Sequence, residues 1–181
     1  DGLWKSSDFG ATWSKVASFP FAGKPGGMGV GFVVFDPQSG KAGAATPIIY
    51  VGVEDGEAHL YRSDDAGTSW SAIAGEPAGL IPHHAVLTPQ GLIYSTWCNG
   101  PGPNGVSDGA VYVYNTRTGQ WTDISPIKPN SGSEPGFGFA GLSVDAEHPQ
   151  TLMVATLDRW GPGDDIFRST DIFVALIIIY A

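Results

Sequence analysis

One octapeptide occurs twice in this chain and constrains everything between its copies. The first copy is Ser6-Ser7-Asp8-Phe9-Gly10-Ala11-Thr12-Trp13; the second is Ser63-Asp64-Asp65-Ala66-Gly67-Thr68-Ser69-Trp70. Both read S-x-D-x-G-x-[ST]-W. Each follows a short apolar-basic run, Leu3-Trp4-Lys5 or Leu60-Tyr61-Arg62, and a third start, Phe167-Arg168-Ser169-Thr170-Asp171, breaks off after its first residues.

An Asp or Ser side chain beside a Gly is turn chemistry. The carboxylate bonds backbone N–H groups two residues on, and Gly takes positive φ without steric cost. The bulky Trp that follows calls for burial. Each copy is therefore expected to be a hairpin: strand, stapled turn, and a second strand opening on a buried Trp. The pattern is the Asp-box. Its structural residues are Ser6, Asp8, Gly10 and Trp13 in the first copy, and Ser63, Asp65, Gly67 and Trp70 in the second. Asp171 belongs to the broken third. A structural carboxylate is the expectation for Asp8 and Asp65, because the turn already uses the acid.

Internal repetition decides the fold. Trp13 and Trp70 are 57 positions apart, and a degenerate turn from Tyr114 to Trp121 keeps the Gly and Trp but lacks the Asp. A period of 51 to 57 positions between successive tryptophans fits a four-stranded propeller blade with an enlarged loop. Short runs of Val, Ile, Tyr and Phe bounded by Gly, Pro and Asn supply the strands. They are Val30–Asp36, Ile48–Val53, Leu60–Arg62 and Trp70–Ile73; then Ala85–Leu87, Leu92–Thr96, Ala110–Tyr114 and Trp121–Ile124; then Phe139–Asp145, Thr151–Thr156 and Ile166–Arg168. Loops are expected at Ala22–Gly29, Asn99–Asp108 and Pro126–Pro135. No window carries a helical period. The fold class is all-β: a partial β-propeller of about three four-stranded blades plus a leading hairpin, over residues 1–172. The blade repeats are about 1–20, 21–75, 76–125 and 126–172. The apolar tail 173–181 fits no repeat and reads as a non-native or truncated end, with a genuine final strand as the alternative. The opening at Asp1, already inside a repeat and without Met, reads as a cut.

Composition removes several function classes. With 9 basic and 18 acidic residues the net charge is −9, which argues against nucleic acid or an anionic membrane as partner. A single cysteine, Cys98, excludes an internal disulfide framework and reads as a buried bystander. The Gly-rich run 99–103 is no phosphate loop, since no Lys-Ser or Lys-Thr follows it. No metal or cofactor is expected: the adjacent His83 and His84 would point apart on a strand, and no carboxylate cluster has ligand spacing. Asp164 and Asp165 read as solvated.

The ordered set of segments 3–16, 49–53, 81–87, 141–145 and 151–156 resembles glycoside hydrolase family 74, the xyloglucanases and related oligoxyloglucan-releasing enzymes. The resemblance covers roughly residues 1–171. It implies two tandem seven-bladed propellers with a glucan cleft between them. It also implies a secreted endo-β-1,4-glucanase that hydrolyses xyloglucan with inversion, using one aspartate from each propeller. The family's first catalytic Asp sits in a D-[IL]-G-G turn, and no such tetrapeptide occurs here. The resemblance thus assigns this chain no catalytic residue. It implies xyloglucan or a related β-glucan as ligand and a second propeller of the same full-length chain as partner. A non-enzymatic Asp-box propeller used as an interaction module is the alternative; a sialidase, which needs an arginine triad, fits Arg62, Arg117 and Arg159 poorly.

The same resemblance nominates substrate-binding residues. Trp160, where the family often has Trp-Trp before a Pro, is either a platform for a sugar face or a packed loop anchor. His83 and His84, placed in a loop before a strand, either contact sugar or make local structural bonds. Phe137 and Phe139 stand where the family commonly has Tyr and are core or cleft wall. Trp97 and the loop Asn99–Asp108 are further candidates for the cleft.

Overall fold

The tight turns expected from the sequence do close antiparallel strands, and among the described residues there is no helix. The computed structural model describes residues 2–21, 29–129, 136–160 and 165–170, with the backbone of residues 177–179. Asp171, Asp164, Gly161 and residues 22–28 and 130–135, which include parts of two expected loops, lie outside that set.

The chain divides into two compact units, residues 1–74 and 75–181. The first holds a two-stranded hairpin, β1 (Trp4–Lys5) and β2 (Ser14–Lys15). It also holds a four-stranded sheet of β3 (Val30–Phe35), β4 (Ile49–Val53), β5 (Leu60–Ser63) and β6 (Ser71–Ala72). The second holds two four-stranded sheets. One is β7 (Ile81–Leu87), β8 (Leu92–Cys98), β9 (Gly109–Asn115) and β10 (Gln120–Asp123); the other is β11 (Gly138–Val144), β12 (Leu152–Leu157), β13 (Ile166–Ser169) and β14 (Ile177–Ile179). Within each four-stranded sheet the strands neighbour one another in chain order and all pairings are antiparallel. That meander is the blade motif of the expected all-β, partial-propeller class.

The first strand of each four-stranded sheet carries a bulge: at Val30/Phe32 in β3, Pro82/His84 in β7 and Phe139/Leu142 in β11. A bulge adds twist to one strand of a pair. Its recurrence marks a repeat that residue identity does not display. It also places His83 and His84 inside β7 rather than in a loop ahead of it.

The two sheets of residues 75–181 pack on a core of Tyr94, Val111, Phe137, Phe139, Val154 and Phe167. They are also joined by polar bonds. Thr96 Oγ1 donates to the Ala140 carbonyl at 2.8 Å and Cys98 Sγ to the Phe139 carbonyl at 3.0 Å. These bonds satisfy side chains on the face of β8 turned toward β11, where an unpaired hydroxyl would be costly.

The octapeptides fold as two copies of one network. Asp8 accepts the Thr12 N–H at 2.9 Å and the Thr12 hydroxyl at 2.6 Å; Ser6 donates to Asp8 at 2.8 Å and accepts the Gly10 N–H at 2.8 Å. Asp65 accepts the Ser69 N–H at 2.8 Å and hydroxyl at 2.6 Å; Ser63 donates to Asp65 at 2.9 Å and accepts the Gly67 N–H at 2.8 Å. In the degenerate copy Asn115 substitutes: its Oδ1 accepts the N–H groups of Arg117 and Thr118 at 3.0 and 3.2 Å.

The expected burial of the box tryptophans holds only in part. Trp70 is half-buried against Phe19, ring centroids 5.0 Å apart and nearly perpendicular. Trp13 is 62% exposed. Its indole folds back on its own turn, donating to the Gly10 carbonyl at 3.1 Å. The reason is local: the β1–β2 hairpin has two strands, and Trp13 borders an open groove of about 580 Å³ that Trp4, Val33, Phe35 and Trp70 also line.

Candidate functional site

The best-formed candidate site lies at the end of β12, within residues 75–181. Leu157 closes the strand. Asp158 then turns the backbone into the left-handed region, φ 59°. Asp tolerates that region better than most residues, because its short side chain can bond locally. The turn sends the next two side chains different ways. Arg159 folds inward: its guanidinium lies 4.6 Å from the centroid of the Phe137 ring and donates to Asp165 at 2.8 Å, with both side chains mostly buried. Asp165 is thus a paired, screened carboxylate and not the solvated one expected. Trp160 folds outward and is 74% exposed, with Nε1 donating to Asp158 Oδ1 at 2.8 Å.

The neighbouring loop, residues 99–108, is fixed at several points. Asn99 Oδ1 accepts the N–H groups of Ser107 and Asp108 at 3.0 and 3.1 Å. Val106 is buried to 3% exposure and its N–H donates to Asp158 Oδ2 at 2.8 Å. His83 Nε2 lies 2.9 Å from the Gly100 carbonyl. Because a carbonyl only accepts, that nitrogen carries the proton. His83, the loop and Trp160 therefore belong to one bonded assembly. His84 is exposed and has no place in it.

Two nominated residues fall elsewhere. Trp97 has no exposed surface; its Nε1 donates to Ser95 Oγ at 2.8 Å and its ring packs edge-on to Trp121 at 5.8 Å. Phe139 likewise has none, lying edge-on to Phe137 at 5.6 Å. A sugar needs an accessible face, so Trp97 is corrected from cleft to core, and Phe139, left open between core and cleft wall, lies in the core. β8 is central in its sheet and buried on both sides, which removes the alternation that would have told the two faces apart. Phe137 is core as well. Sequence reasoning nominated the loop 99–108 but missed Asp158 as the residue that joins it to Trp160. The one available signal was an Asp two residues before an exposed Trp at a strand end.

Outside this site, the electrostatics speak against acid catalysis by four aspartates. Asp8 is pulled down to about 2 by the hydroxyl and N–H of Thr12 and by Ser6, and Asp65 to about 2 by the hydroxyl and N–H of Ser69 and by Ser63. Burial pushes Asp123 up, but its bonds to Lys128 and Ser125 outweigh that and leave it lowered. The N–H groups of His148 and Glu147 lower Asp145. Among the described residues these four aspartates are moved downward, whereas a general acid needs a carboxyl moved up. Among the described residues no three His, Cys, Asp or Glu side chains are grouped to hold a metal ion.

No protein-family profile matches the chain. By sequence it is similar to a xyloglucanase of a Paenibacillus species, 49% identical over 181 residues, and to the xyloglucanase Xgh74A of Acetivibrio thermocellus, 47% identical over 185. Both alignments cover 94% of this chain, but 18% and 22% of the relatives, so the chain spans about a fifth of the curated relatives it matches. By structure it is similar to the GH74 xyloglucanase from Xanthomonas campestris, at 40% identity and TM-score 0.87, over 99% of this chain and 27% of that one. With identity at this level along nearly its whole length, the chain belongs to glycoside hydrolase family 74.

Proposed function

We propose that this chain is part of a secreted xyloglucan-degrading glycoside hydrolase and supplies cleft wall and sugar subsites, not the reacting carboxylates. The carrying observation is Trp160: its ring is exposed while its only donor is already occupied by Asp158. A pyranose offers an apolar face of C–H groups, and a flat aromatic with a satisfied N–H meets it by stacking. The loop 99–108, anchored by His83, forms the adjoining wall. In the whole protein the backbone bond of the glucan is cut with inversion by two opposed carboxyls, one protonated and one activating water across a gap. Those two groups come from segments outside residues 1–181, one of them in a second propeller. The repeats at 1–20, 21–75, 76–125 and 126–172 serve as propeller blades.

The test is a hydrolysis assay on xyloglucan, following reducing ends. The 181-residue chain alone is expected to release none under conditions where the full-length protein turns over. Measurable turnover by the purified chain would contradict the assignment of the catalytic pair to other segments.

A further inference from the structure

An exposed tryptophan held by nothing samples several rotamers, and each one that must be abandoned on binding lowers affinity. Trp160 is too exposed for packing to fix it. Among the described residues, the bond that orients it is the one from Nε1 to Asp158 Oδ1, 2.8 Å. The other oxygen of the same carboxylate takes the Val106 N–H, also at 2.8 Å. Val106 is a rigid donor, since its side chain is buried and the loop carrying it is tied again at Gly100 by His83. Asp158 holds this position at φ 59°, a conformation glycine would adopt without strain. What the carboxylate adds over glycine is the bridge itself.

We propose that Asp158 is a positioning residue for sugar binding: by bridging the Val106 N–H and the Trp160 indole N–H it pre-sets the ring and joins it to the loop 99–108. This rests on the reading of Trp160 as a sugar platform. Asp158 touches no sugar; it acts through the ring.

The experiment separates the two ideas. Xyloglucan oligosaccharides are titrated calorimetrically into the full-length protein and its Asp158→Gly, Asp158→Asn, Trp160→Ala and Trp160→Phe variants. Asp158→Gly keeps the backbone conformation and removes both bonds. Asp158→Asn tolerates the same φ but keeps one acceptor oxygen, and it serves as the second variant if Asp158→Gly folds poorly. Asp158→Gly is expected to weaken binding about five- to tenfold, on the order of one lost hydrogen bond, with Asp158→Asn intermediate. Fluorescence anisotropy of Trp160, resolved by difference against Trp160→Phe, should report faster ring motion in both. On the Trp160→Phe background, which keeps a ring but has no N–H to hold, Asp158→Gly should change affinity less than about twofold. If Trp160→Ala weakens binding while Asp158→Gly and Asp158→Asn do not, the positioning role is wrong and the platform stands. If Asp158→Gly costs the same with and without Trp160→Phe, Asp158 acts through the loop and the proposal also falls. If Trp160→Ala itself binds normally, the platform reading fails first.

Discussion

Cys98 packs against Gly138 with no room for a side chain between them. A Cβ on Gly138 would stand 2.3 Å from Cys98 Sγ and 2.6 Å from a methyl carbon of Val106. Here β8 of one sheet meets β11 of the next, and the buried end of the 99–108 loop wedges in beside them. Gly138→Ala should therefore destabilise residues 75–181 by about 1–3 kcal/mol, the usual cost of overpacking. Urea unfolding measures it. Gly29→Ala, with no described residue within 4 Å of an added Cβ and no positive φ, is the control and should be near neutral.

Trp97 provides a second test of core against cleft. Trp97→Phe removes the indole donor and leaves Ser95 Oγ without it, in a site with no exposed surface. The loss should be about 1–3 kcal/mol of stability, with oligosaccharide affinity unchanged in the full-length protein. Weakened binding at unchanged stability would return Trp97 to the cleft.

What could be read ahead of the structure was what is local. Asp65 and Ser69 are four positions apart, so their turn is written in one octapeptide, and the strands follow from short apolar runs between such turns. The Asp158 carboxylate meets an N–H 52 positions away, and no local pattern announces that. The same holds for Arg159, whose place over Phe137 depends on how β11 and β12 are paired. His83, expected in a loop, lies in β7 at its bulge, and an irregular pairing leaves little trace in residue identity. Trp97 misled because aromatic residues serve cores and sugar sites alike, and β8 shows no alternation to separate them.

The box turns carry a pH signature. Asp8 and Asp65 titrate at about 2 in the fold against 3.8 for an ordinary carboxyl. Between those values the unfolded chain binds more protons, so stability rises with pH there. The contribution is present above about pH 4 and is lost as pH falls through about 2. Carbon-detected NMR titration of the two side-chain carboxyls should give midpoints near 2. Asp65→Ala, which removes the acceptor for Ser69 and Ser63, should lower the melting temperature more than Asp65→Asn. Midpoints near 3.8 would mean that the networks around Thr12 and Ser69 do not form in solution.

Arg159 and Asp165 form a pair that is mostly shielded, with side chains 19% and 15% exposed. Arg159→Met should cost about 1–3 kcal/mol by leaving the Asp165 carboxylate without its partner in a partly dry site. Arg159→Lys should not restore that loss, since an ammonium cannot lie flat over Phe137 while donating to the carboxylate. Thermal unfolding of the three proteins ranks them; full recovery with lysine would make the pair a simple charge contact.

The role assigned to this chain turns on whether the outward ring of Trp160 meets sugar. The direct measurement is the dissociation constant of a xyloglucan oligosaccharide for the full-length protein with and without Trp160→Ala, alongside a melting curve. Loss of a stacked aromatic predicts weaker binding by roughly 1–3 kcal/mol, about five- to 150-fold, with the melting temperature unchanged because the ring is already in solvent. Unaltered affinity with a lowered melting temperature would contradict the account and make Trp160 a packing residue.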